Sequence, residues 1–175
     1  MKNFLAIIAL CSSAFAGSVT YTGTASPASP SVTVPSFDTS LGKLVSVEVR
    51  ATTSLVRNYS VVESSGTAPG IVAFGGVQQC VVKSPLGGLL VTTQTNVPNT
   101  TVTVPPGLSF AFSDPYAFTG AQITVVNPEE YNGTGSLVFP VSYPSTYYTN
   151  YVSGAVLTRQ SSTLSTVVEI TYNFQ

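Results

Sequence analysis

The chain has 175 residues, enough for one domain with a real core but not comfortably for two, and only 7% of its residues are charged against a usual ~25%. Formal net charge is −1, and the six basic residues, Lys2, Lys43, Arg50, Arg57, Lys83 and Arg159, are scattered, so no basic stripe exists to neutralise phosphates and nucleic acid is excluded as a partner. Histidine is absent, which removes a Ser-His-Asp triad and His-based metal sites; at 43% hydrophobic content the chain is also not disordered, and it reads as an all-β extracellular protein.

Residues 1 to 16, MKNFLAIIALCSSAFA, have a basic start, an apolar run from Phe4 to Leu10 and small residues at Ala14 and Ala16. That pattern is a secretory signal peptide with cleavage after Ala16, so the mature chain is expected to begin at Gly17. A lipoprotein reading would use Cys11, but Leu10 before it is too large. No other run reaches the ~18 apolar residues of a membrane span. The expected location is secreted, extracellular or at the cell surface.

Residues 18 to 24, SVTYTGT, form a short alternating strand, and residues 25 to 31 carry two prolines that predict a stiff, extended connector. Such a strand can pair within its own domain or reach into a neighbour. Val19, Tyr21, Thr22 and Gly23 are the candidate assembly residues. The domain proper is expected over 32–175.

Residues 37 to 55 organise the rest. Asp38, Ser40 and Gly42 supply turn chemistry, and the strand they release places Val45, Val47, Val49 and Ala51 on one face and Leu44, Ser46, Glu48, Arg50 and Thr52 on the other. FDTSLGKLVSV at 37 to 47, read with Tyr21-Thr22-Gly23-Thr24 before it and YNGTGSLVFPV at 131 to 141, resembles the choice-of-anchor E domain family. The resemblance implies a secreted, β-rich surface domain and no settled activity. Members carry a C-terminal surface anchor; after Phe174 this sequence reaches only Gln175, and no sorting motif or hydrophobic tail is visible.

Further strands are predicted at 31–35, 43–56, 58–63, 70–82, 89–95, 99–104, 108–112, 121–127, 135–143, 147–158 and 164–174, with Gly/Pro turns between them and one helical turn near Pro128 to Tyr131. Gly75-Gly76 predicts a bulge or sharp bend. The fold class is all-β, a single antiparallel β-sandwich of Ig-like or jelly-roll-like type with about 10–12 short strands and almost no helix.

Removing the signal leaves Cys80 as a lone thiol among Val77, Val81 and Val82, either a small buried hydrophobe or a partner for an intermolecular disulfide. Three N-glycosylation sequons begin at Asn58, Asn99 and Asn132, the last two in predicted turns. Tyr143, Tyr147, Tyr148 and Tyr151 lie within nine residues, either as an aromatic contact surface for sugar rings or as ordinary fill of a pleated surface. The acidic residues are Asp38, Glu48, Glu63, Asp114, Glu129, Glu130 and Glu169; only Glu129 and Glu130 are adjacent, and neither a facing glycosidase pair nor an Asp-rich calcium loop is present.

No catalytic residue, cofactor or metal site is assigned. Two functions are expected to compete. One is an extracellular structural protein that associates with copies of itself into a fibril or surface layer, by donation of its N-terminal strand. The other is a carbohydrate-binding or adhesive module.

Overall fold

The computed structural model describes residues 17–63, 65–120, 123–125, 128–154 and 156–175. The expected signal peptide with Cys11 and part of the expected 121–127 strand lie outside the described residues. Among the described residues there are ten strands: β1 (Gly17–Ala25), β2 (Ser31–Pro35), β3 (Leu44–Glu63), β4 (Gly70–Lys83), β5 (Leu89–Val104), β6 (Ser109–Thr119), β7 (Ile123–Val125), β8 (Ser136–Ser142), β9 (Ser145–Ser153) and β10 (Val156–Phe174). Two single 3-10 turns, Thr39–Leu41 and Pro128–Tyr131, are the described helical segments. Both fall where turn chemistry predicts them: the Asp38 carboxylate accepts the Ser40 N–H at 2.9 Å and caps the first.

The strands form two five-stranded antiparallel sheets that pack face to face. The first has the order β1-β10-β3-β6, with β7 also on β3; the second has the order β2-β8-β4-β5, with β9 also on β4. The spine is β3 against β10, paired from Leu44↔Phe174 to Glu63↔Val156. At ~3.3 Å per residue it runs roughly 60 Å, several times an ordinary strand.

Length is where the structure departs from the pattern of the sequence. The expected breaks at Arg57 and at Val97-Pro98-Asn99 do not occur. Arg57 is buried and continues β3, while Pro98 and Asn99 together oppose the single residue Gly75, a bulge in the edge strand β5 rather than a turn. The expected 108–112 strand continues through Pro115 to Thr119. The expected 147–158 strand instead divides at Gly154, whose φ of 70° turns the chain from the second sheet to the first.

One register shift reverses two residues. Phe174 pairs with Leu44 and Asn173 with Ser46, so Val45 is an extra residue on β3. It points to solvent and Leu44 points inward, opposite to the simple alternation, whereas Val47, Val49 and Ala51 are fully buried as expected.

The interior is divided along its length. A large apolar cluster includes Val32, Phe37, Val47, Val49, Cys80, Phe139, Val168, Ile170 and Tyr172. A small one at the other end holds Tyr59, Val61, Val72, Phe74 and Val104. Between them lie Leu55, Val97 and Leu164 with the buried polar residues Thr53, Arg57, Gln78 and Thr166.

Candidate assembly edge and the placement of the predicted site residues

Alternation in β1 sends Val19, Tyr21 and Gly23 toward the large cluster and Ser18, Thr20, Thr22 and Thr24 outward. The strand pairs with β10 of its own chain, unbroken from Gly17↔Phe174 to Ala25↔Thr166. Tyr21 meets Tyr172 edge-on at 5.9 Å, and the Thr20 and Thr171 hydroxyls are hydrogen-bonded at 2.9 Å. Gly23 is needed for packing: a Cβ there would fall 2.2 Å from Cγ1 of Val32 on β2. Of the four predicted assembly residues, Thr22 alone faces out, opposite Glu169.

The connector after β1 is not extended. Ser26 and Ser29 exchange both backbone hydrogen bonds at 3.0 Å, closing a tight turn over Pro27-Ala28 that carries the chain from one sheet to the other. Two prolines within seven residues read as stiffness; the serines on either side of Pro27-Ala28 supplied the turn instead.

As the outermost strand of the first sheet, β1 turns a row of backbone N–H and C=O groups outward. The sheet beside it carries a small polar network on its outer face. Arg50 and Glu169 are 3.8 Å apart, and the Asn173 amide donates to Ser46 Oγ and Glu48 Oε1 at 3.1 and 3.2 Å. Both members of the ion pair are about half exposed, so its worth is at most ~1 kcal/mol.

The four tyrosines divide between interior and surface. Tyr147 points between the sheets, donates a hydrogen bond to Gln78 Oε1 and offers its ring face to the Arg57 guanidinium at 4.9 Å. The Tyr59 ring also lies against this guanidinium, at 4.7 Å, while Arg57 Nε and Nη2 have no hydrogen-bond partner among the described residues. Tyr143 packs on the core, and burial raises the pKa of its hydroxyl and that of Tyr147. Tyr148 and Tyr151 are exposed, the first lying over Gly75 and the second reaching toward Thr158 on β10 at 3.4 Å. The four rings therefore do not form one surface, and Tyr143 and Tyr147 serve as fill of the interior.

The sequons also differ. Asn58 is in the middle of central strand β3, half-buried, and accepts a hydrogen bond from Ser113 at 2.5 Å. Asn99 is exposed, on the bulge of β5 rather than in a turn, and Asn132 is exposed at the end of the second 3-10 turn, as expected. Cys80 is fully buried, its Sγ 3.6 Å from the Thr166 hydroxyl, so the buried-hydrophobe reading describes its place and a disulfide to another chain would require unfolding. Glu129 and Glu130 sit in the second 3-10 turn, next to the fully buried Tyr131.

Glu63 was not singled out by the sequence, yet it is the most constrained acid described. Its carboxylate accepts N–H bonds from Ser65, Gly66 and Gly107 at 2.6, 2.9 and 2.8 Å, and the Ser65 hydroxyl as well. These bonds, the Ser65 hydroxyl first, bring its pKa from the ordinary 4.5 to about 2. The Ser-Gly step just after an acid was the available signal. The group ties two turns together at one end of the sandwich, which is structural work, and among the described residues no cluster of three or more metal-ligating side chains forms.

The fold defines an all-β sandwich in which β1 is an outer strand among the described residues. No family model matches the chain, and no curated protein sequence does. Among solved structures, the chain is similar to a protein of the T13 infectious bursal disease virus particle, at 13% identity and a TM-score of 0.24 over 89% of this chain and 35% of that one. It is also similar to the Drosophila NLP core, a pentamer that binds histones, at 14% identity and 0.16 over 74% and 98%, and to an arabinose-bound α-L-arabinofuranosidase, at 15% and 0.17 over 75% and 23%. The chain spans about a third of the length of the viral protein. Scores this low carry no argument about function.

Proposed function

We propose that this is a secreted structural protein that associates with copies of itself as a building block of an extracellular fibril or surface layer, with β1 as the joining element. The observation that carries the reading is the β1 edge: nine residues without charge, proline or register break, at the rim of the first sheet. Such an edge templates strand pairing unless it is blocked. The low charge of the whole chain supports it further, because little like-charge repulsion opposes contact between copies. The signal-peptide pattern and the resemblance to choice-of-anchor E domains support an extracellular site, and no catalytic role is assigned.

One route to such association is donation of β1 into the next copy, where it would make the pairing with β10 that it makes at home. Donation requires the Ser26–Ser29 turn to open and Pro27 and Pro30 to serve as the hinge. Negative-stain microscopy of the native secreted material should show fibres or sheets; monodisperse particles of monomer size would overturn the reading. Donation itself is checked by deleting Gly17 to Pro30. The truncated protein should then be monomeric, less stable, and rescued by the free peptide without assembling.

A further inference from the structure

We propose that two copies join edge to edge through β1, each Gly17–Ala25 strand pairing antiparallel with that of the second copy about a two-fold axis at Tyr21. This rests on the self-association reading and states which edge meets which.

The first argument is the contrast among edges. Proline, charge and bulges are the means by which a sheet edge is kept from pairing with another chain. The outer strand β5 carries Pro98 in a bulge, and β6 carries Asp114 and Pro115. On the remaining rims, β2 ends on Pro35, β9 follows Pro144 and breaks register opposite Ile71 and Val72, and the half of β10 beyond β1 carries Arg159. Among the described edges β1 and β7 have none of these devices, and β7, Ile123–Val125, offers only three residues where β1 offers nine. Beneath it β2 is only five residues long, so the join is one strand deep.

The second argument is symmetry. A two-fold contact brings residue i against residue j and j against i, so the strand must be self-complementary. Read outward from Tyr21, β1 is a palindrome of chemical types. Thr20 meets Thr22, Val19 meets Gly23, Ser18 meets Thr24, and Gly17 meets Ala25. Hydroxyls thus face hydroxyls on the outer side, and apolar or small residues face each other on the inner side, where a one-residue slip would mix them.

The third argument is charge. The nearest carboxylate is Glu169, opposite Thr22 on the home side. In the joined sheet it stands roughly 15 Å from its symmetry mate, beyond a Debye length at physiological salt. Nothing in the strand or beside it repels the second copy. Because the contact closes on itself, it makes a two-domain unit with one continuous sheet, and growth into a fibre or layer uses another contact.

Sedimentation of residues 17–175 tests this, with circular dichroism and melting confirming that each variant is folded; positions 20 and 22 face solvent, so folding is expected to survive. The wild type should form dimers. Thr20→Lys with Thr22→Lys sets lysines against lysines at both crossings and should weaken the dimer at least ~tenfold. Thr20→Glu with Thr22→Lys sets opposite charges there and should restore it. If both double variants associate as the wild type does, edge pairing is overturned while self-association stands; donation predicts that result, because a donated β1 keeps Thr22 against Glu169. A wild type that stays monomeric at every concentration overturns this proposal and the self-association reading together.

Discussion

At the scale of single residues, the two buried charges among the described residues, Glu63 and Arg57, each have a definite task. Glu63 is buried yet stays ionised because four donors converge on its two oxygens, three of them backbone N–H groups that would otherwise be left over where the chain turns. The stability consequence follows from the sign of its shift. A carboxyl whose folded pKa lies at about 2, against an ordinary 4.5, contributes stability that is present in full above 4.5 and is lost as pH falls from there through 2. The wild-type melting temperature should therefore drop across that window. Glu63→Gln should melt lower at neutral pH and approach the wild type at the acid end; Asp38, whose pKa its backbone bond to Ser40 also lowers, titrates in both proteins and cancels. A gap between the two proteins that stays constant down to pH about 2 would show that the shift is not there. Arg57 is the complementary case: with its guanidinium over the rings of Tyr59 and Tyr147, it lets one long strand pass through the interior without interruption.

At the scale of the strand, the bulge at Val45 is a sharp test of register. A one-residue insertion exchanges the two faces of everything beyond it. Val45, 47% exposed, should accept Asp with a change within about 0.5 kcal/mol. Val47, fully buried two residues later, should not: Val47→Asp places an unpaired charge in the large cluster and is expected to abolish folding, a cost above ~4 kcal/mol. Chemical denaturation of the two variants decides the matter, and equal sensitivity would mean the register shift is misplaced. The same element shows what was legible. Alternation located β3 and its core face from Val47 onward, the short strands β2 and β8 to within a residue, and the turn at Asp38. It missed strand length, because polarity at Arg57 and proline at Pro98 look like punctuation in a sequence. In the fold, a stacked guanidinium and an edge bulge absorb them. It left two readings open for the tyrosines. Spacing alone gives which residues share a face but not that Tyr147 faces a buried arginine while Tyr151 sits at an open rim.

At the scale of the whole molecule, a spine roughly 60 Å long joins two ends that are packed very differently. The end that holds β1 rests on the large apolar cluster, to which β1, β2, β3, β8 and β10 all contribute. The other end has the small cluster around Tyr59 and Phe74, and the band between them is held by polar contacts such as Thr53 to Thr166 at 2.9 Å. Hydrophobic burial dominates local stability, and protection against exchange follows it. Edge pairing through β1 then uses the rigid end as it stands, whereas donation must first strip Val19, Tyr21 and Ala25 from that cluster. Native-state hydrogen exchange reads the asymmetry directly. Backbone amides of Val47 to Ala51 and Val168 to Tyr172 should exchange only through global unfolding, and those of Thr158 to Ser161, on the rim of β10 beyond β1, at least ~tenfold faster. Even protection along β10 would mean that the two clusters open as one unit. In that case the end that carries β1 is no more stable than the other, and edge pairing gains nothing from where β1 sits.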